Sequence, residues 1–136
     1  MAFADAQAGA KIYDVEGVAS VELAGTVAKG DILGYSSGWV RALATVGTAI
    51  AGKCVALEDG VAGQRIYVAF EQAIIGGSRF SGATAGGALY VAEGTSNGKY
   101  TQTVPSTSGD CTKIIGYMLN AMTAVVRPLD NNDSIA

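Results

Sequence analysis

The chain contains no histidine. Ser-His-Asp and Cys-His nucleophile systems need an imidazole to carry the proton, so both are excluded. A tetrahedral metal site would also need more ligands than Cys54 and Cys111 supply. Charge is scarce, at 15% of residues against about 25% in an average domain. The nine basic residues are scattered, and the net charge is −3. That balance argues against a nucleic-acid partner, which needs clustered Lys and Arg to neutralise phosphates. Long hydrophobic runs are missing as well. The longest are of strand length, so no membrane-spanning helix is expected. Residues 1–11 lack the basic n-region and apolar h-region of a signal peptide, so synthesis in the cytoplasm is expected. Without such a signal, Cys54 reads as a buried free thiol and a Cys54–Cys111 disulfide is disfavoured.

What is present is glycine, 19 residues, and an apolar share of 49%. At 136 residues the chain is one domain's length. A domain of this size has much surface for its volume, and few charges to solvate it. Other copies or a partner are therefore expected to cover part of the surface.

Short β-rich runs separated by Gly, Asp and Ser turns indicate an all-β fold, most clearly over residues 26–71. Residues 1–17 read as an N-terminal arm, extended or mobile alone, with a possible short strand over 11–18. Residues 18–129 read as the β domain and 130–136 as a polar tail. Ala19, Val21 and Leu23 alternate with Ser20 and Glu22 as a half-buried strand would. Lys29-Gly30-Asp31 is a turn, and Ser36-Ser37-Gly38 joins two strands as a hairpin. Residues 54–57 form a short buried strand closed by Glu58-Asp59-Gly60. Ile66, Val68 and Phe70 define one face of the clearest strand, residues 65–71, and Tyr67 lies on the other.

The second half repeats the first in outline. Residues 28–33 match 85–90, 38–41 match 98–101, 50–55 match 114–119, and 66–68 match 124–126. A pseudo-symmetric β-sandwich or small barrel follows.

Several patterns resemble sites. Glu58-Asp59 is a carboxylate pair, but adjacent strand residues face opposite ways and Gly60 favours a solvated turn. Asp130-Asn131-Asn132-Asp133 lacks EF-hand spacing and a closing Glu. Gly76-Gly77-Ser78-Arg79 and Ala85-Gly86-Gly87-Ala88 lack the Gly-Lys-Ser/Thr of a phosphate loop and read as turns. Nothing marks a lysine nucleophile, and Lys29 and Lys53 lack the Met flanks of a biotinyl or lipoyl carrier. Tyr35, Trp39 and Tyr67 offer either a stacking surface for a ligand or oligomer, or simple packing. No cofactor is expected.

Val27-Ala28-Lys29-Gly30-Asp31-Ile32-Leu33-Gly34, then Gly52-Lys53-Cys54-Val55-Ala56-Leu57-Glu58-Asp59, then Ala62-Gly63-Gln64-Arg65-Ile66-Tyr67-Val68, resembles the capsid cement (head decoration) family of tailed bacteriophages. Leu89-Tyr90, Gly98-Lys99 and Ile115-Gly116-Tyr117-Met118-Leu119 are similar to its second half. The resemblance implies a β-tulip or sandwich fold, no catalysis, and a homotrimer bound to the major capsid protein on the outer surface of the virion. It also implies shell contact through the N-terminal arm: Met1, Ala2, Phe3, Ala4, Asp5, Ala6, Gln7, Lys11, Ile12 and Tyr13. The alternative is another virion β-module, of a tail, spike or fibre, that binds a receptor or glycan.

Overall fold

A computed structural model describes residues 3–44, 49–93, 97–104 and 114–128. Met1, Ala2, Cys111, the polar loop at 105–110 and the tail at 130–136 lie outside the described residues. Those described contain strands and no helix. Two strands of 13 residues each, β2 (Ala10–Glu22) and β6 (Arg65–Gly77), pair antiparallel along their whole length. β6 carries the expected alternation and runs on past Glu71 to Gly77. Residues 10–17 therefore belong to the sheet, and the expected boundary between arm and domain falls inside β2. Val21 and Leu23 are buried as anticipated, but Ala19 is exposed. β2 lies at the border of the sheet: Ala10 is buried and Ile12 and Val15 pack on the core, whereas residues 18–20 are exposed.

Opposite β2, the other edge of β6 is shared. Its first half pairs with β5 (Cys54–Ala56), through Val55–Ala69 and Ala56–Val68. Its second half pairs with β11 (Ala124–Val126), through Val126–Ala73 and Val125–Ile74. Two leaves grow from this stem. Leaf 1 is β5, β3 (Ile32–Tyr35) and β4 (Trp39–Arg41). Leaf 2 is β11, β10 (Ile114–Met118), β8 (Ala88–Val91) and β9 (Tyr100–Thr101). The sheet curls until the far ends of the leaves meet, where Gly98 N donates to Ala42 O at 2.8 Å and Ala44 N to Ala92 O at 2.9 Å. A small pair, β1 (Ala4–Asp5) with β7 (Phe80–Ser81), sits apart from the main sheet.

The expected turns form. Ser36-Ser37-Gly38 closes the β3–β4 hairpin, with Ser37 and Gly38 at positive φ. Asp31 N donates to Ala28 O at 2.9 Å in the turn before β3. Gly76-Gly77 differs from its expectation: it ends β6, and the turn follows at Ser78-Arg79.

Strand order is the same in both halves, so the repeat read from sequence is visible in the topology: hairpin, then a strand beside its first member, then a closing strand. The register corrects two of the matches. Leu33 pairs with Cys54 and Tyr90 with Ile114, so Cys54 corresponds to Ile114 and not to Met118. Ala56 pairs with Val68 and Tyr117 with Val125, so Val68 corresponds to Val125 and not to Val126. A register shift between Ile114 and Gly116 in β10 has no counterpart in β5, and sequence spacing does not show it.

Two apolar clusters result. The main one fills the space between the leaves, where Ile32 and Val55 meet Leu89, Ile115, Met118 and Val126. The second lies on the outer face of leaf 1, where Leu33, Cys54, Ala56 and Val68 pack with Val21, Leu23, Val27 and Ile66. Leaf 1 is thus covered on both faces, which is why all three residues of β5 are buried.

Candidate functional site

Most charged side chains in so small a domain belong in solvent, because stripping water from an ion costs several kcal/mol unless partners replace it. Arg79 and Asp31 break that rule. Both are buried polar residues among the core strands, at 1% and 0% exposure. Arg79 is delivered by the turn between β6 and β7, and Asp31 by the turn that leads into β3.

The two are partners in one cluster with Asp5 of β1. Arg79 grips Asp5 with two bonds, Nε to Oδ1 at 2.8 Å and Nη2 to Oδ2 at 3.0 Å. Its Nη1 lies 3.0 Å from Asp31 Oδ1 and donates to Lys29 O at 3.0 Å. Nη2 also donates to Gly98 O. Asp31 Oδ2 accepts from Arg41 Nε at 2.6 Å and from Ala28 N at 2.8 Å. Asp5 takes further bonds from Gln7 N and Tyr100 N. Gln7 Nε2 donates to Asp31 Oδ1 and Asn97 O. The Arg79 guanidinium also lies 5.4 Å from the ring centre of Tyr100 and 5.7 Å from that of Phe80.

Burial alone would lower the Arg79 pKa. The Tyr100 phenol and the Asp5 and Asp31 carboxylates outweigh it, so the guanidinium is held above its ordinary value. Burial pushes the Tyr100 phenol well above its usual value, and Arg79 offsets only part of that. The phenol donates to Gly30 O at 2.8 Å. No buried side-chain nitrogen or oxygen among the described residues is left without a partner. A cluster so fully matched acts as a clamp. It fastens the N-terminal segment to the two leaves, and Phe3 stacks on Phe80 beside it.

The residues expected to form a shell-binding arm are therefore divided. Phe3 is packed against the core, and Asp5 and Gln7 are engaged in the clamp. Ala4 and Ala6 are exposed, with the Ala6 amide donating to Arg79 O. On β2, Lys11 and Tyr13 are exposed while Ile12 packs on the core. Sequence reasoning missed the clamp. Its one signal was an isolated arginine directly before an apolar Phe80 in a chain poor in charge.

The carboxylates of Glu58 and Asp59 serve the backbone. Glu58 Oε2 accepts from Tyr67 N at 2.8 Å and Asp59 Oδ1 from Lys29 N at 2.7 Å. Cys54 is a free thiol, pushed by burial up to about 12.

No family model matches the sequence, and neither the curated proteins nor the solved structures contain a significant match. Any functional surface must be identified from the molecule's own geometry.

Two such surfaces stand out. The first is a groove of about 480 Å³ where leaf 1 leaves the stem, floored by Trp39 and Phe70 and rimmed by Glu16, Lys53 and Arg127. Trp39 meets Tyr35 and Phe70 edge-on, at 5.4 and 5.5 Å between ring centres. Tyr67 alternates with Ile66 and Val68, which pack in the same cluster as Trp39, and so stands on the opposite face of β6. The structure brings together Tyr35 and Trp39, without Tyr67.

The second is the outer face of leaf 2. Leu33, Cys54, Ala56 and Val68 on leaf 1 correspond to Tyr90, Ile114, Tyr117 and Val125 on leaf 2. The first four are fully buried; Ile114 and Tyr117 are 57% and 43% exposed. Leaf 2 is apolar where leaf 1 is apolar, but there only Val125 of the four is buried, while Ile114 and Tyr117 reach solvent.

Proposed function

We propose that the protein is a non-enzymatic capsid cement protein. It binds the outer surface of a tailed-phage head, bridges neighbouring major capsid protein subunits and assembles with copies of itself. The observation that carries this reading is spatial. The three segments that resemble the decoration family, residues 27–34, 52–59 and 62–68, come together as one unit, with β3, β5 and β6 adjacent in the sheet. Their polar residues hold turns: Asp31 caps Ala28 N, Asp59 caps Lys29 N, and Gln64 Oε1 accepts from Val61 N. A chain that commits these polar groups to rigidity, with the buried cluster around Arg79 fully matched, suits a role under mechanical load.

Shell contact falls on the exposed members of the N-terminal segment, Ala4, Ala6, Lys11 and Tyr13, since Phe3, Asp5 and Gln7 are engaged internally. Many weak contacts repeated over a lattice would add by multivalency. Incubating the purified protein with expanded phage heads that lack it tests the reading. Co-sedimentation and a higher rupture temperature of the heads are expected, and a protein that stays in the supernatant would sink it.

A second reading, a tail, spike or fibre module that binds a receptor or glycan, draws on the Trp39 groove, where an aromatic edge meets charges of both signs. Quenching of Trp39 fluorescence by oligosaccharides, without head binding, would favour it.

A further inference from the structure

The charges that line the groove beside Trp39 are sorted by sign across β6. On one side, Glu16 of β2 pairs with Gln72 of β6. Glu71 leans the same way, since a Cβ on Gly17 would lie 2.7 Å from its Cγ and 2.9 Å from its Oε2. Gly17 permits that approach at φ +72, in the register shift between Glu16 and Val18. On the other side stand the strands that share the opposite edge of β6. Lys53 directly precedes β5, and Arg127 directly follows β11. Two strand spacings, about 10 Å, separate the backbones of the two walls. The half-buried rings of Trp39 and Phe70 floor the space between them. The ion pairs among the described residues are made by Arg41 and Arg79, so Glu16, Glu71 and Arg127 meet no opposite charge there.

We infer that this groove binds a small aliphatic zwitterion of the ω-amino acid class, with an ammonium at one end of an apolar chain and a carboxylate at the other. The ammonium sits against the Glu16 and Glu71 carboxylates and relieves their mutual repulsion. The Arg127 guanidinium takes the ligand carboxylate with its fork of donors. The methylene chain lies on Trp39 and Phe70, where burial of apolar surface is favourable and no polar partner is lost. The Trp39 ring also attracts the cationic end.

Charge complementarity selects this class of ligand over its neighbours. A cation alone leaves Arg127 unused, and an anion alone meets two carboxylates. A neutral sugar stacks on Trp39 equally well, yet it gains nothing from walls of opposite sign. The volume of about 480 Å³ lies within the range of small-molecule sites. The inference stands apart from the shell reading, and it gives the groove a charged ligand where the receptor reading has a glycan.

Trp39 is the chain's one tryptophan, so its fluorescence reports on this groove alone. Adding 6-aminohexanoate to the full chain is expected to change that fluorescence saturably, and titration calorimetry should give the same affinity. 1-Aminopentane keeps the ammonium and the chain but lacks the carboxylate. It should bind about tenfold more weakly, as for the loss of a charge-assisted hydrogen bond. Arg127→Gln should cost 6-aminohexanoate that same factor and leave 1-aminopentane unaffected, a split that a general loss of structure would not produce. Glu71→Gln should weaken both compounds. Neither heat nor a fluorescence change with 6-aminohexanoate, or equal binding of the two compounds, would overturn the inference. So would quenching by neutral oligosaccharides alone, which leaves the receptor reading standing. Head binding does not enter the measurement, so the shell reading succeeds or fails separately.

Discussion

At the scale of single residues, the clamp shows how a chain poor in charge uses the charges it has. Arg79 is tolerated in the core because Asp5, Asp31 and two carbonyls receive its donors. Removing it takes from Asp5 the cation that grips it and leaves Asp31 with Arg41 as its cation. Arg79→Met is therefore expected to lower the unfolding free energy by about 3–5 kcal/mol, read from urea denaturation; a variant as stable as the wild type would contradict the clamp. Cys54 makes a prediction of opposite character. Its folded pKa is raised to about 12 from the usual 9.0. Below pH 9 the thiol is protonated whether the chain is folded or not, so its contribution to stability is fully present. Between 9 and 12 only the unfolded chain ionises, and stability falls by up to about 1.4 kcal/mol per pH unit. Tyr100, also raised, adds to the decline above its ordinary value of 10.0. Melting temperature should drop steeply above pH 9, and Cys54→Ala should flatten the onset of that drop.

At the scale of strands, the leaves depend on backbone contact that only glycine permits. A Cβ on Gly116 would run into the carbonyl of Val125 across the β10–β11 pair, whereas one on Gly63 would meet nothing within 4 Å. Gly63 does sit at φ +89, a conformation that costs an L-residue roughly 1–2 kcal/mol. Gly116→Ala must push β10 and β11 apart, so its loss of stability is expected to exceed that of Gly63→Ala by about 1–3 kcal/mol. Chemical denaturation of the two variants side by side checks the order. β1 gives a second test. Tyr100 N donates to Asp5 Oδ2 at 3.0 Å, so deleting residues 1–7 removes that acceptor. Hydrogen exchange at the Tyr100 amide should then quicken about tenfold or more, while amides in the centre of β6 remain slow.

For the whole molecule, the two leaves have the same strand order but different surroundings. Leaf 1 is buried on both faces, whereas on the outer face of leaf 2 Ile114 and Tyr117 reach solvent. Head binding is a property of this scale, read by co-sedimentation and rupture temperature.

Alternation and turn chemistry are local, and they determined the all-β class, the β3–β4 hairpin, the turn before β3 and the repeated order of strands. They also determined the outward-facing turn at Glu58-Asp59. The tertiary structure alone decided that residues 10–22 form one strand, because β2 is held by pairing with β6 across more than forty residues of intervening sequence. It decided the true correspondence of Cys54 with Ile114 and of Val68 with Val125, since an irregularity in β10 shifts register without leaving a mark in composition. It likewise decided that Asp5, Asp31 and Arg79 meet in the core, and that Cys54 is buried while its counterpart Ile114 reaches solvent. Each of these depends on which distant segment lies alongside, and a periodicity of two residues carries no information about that.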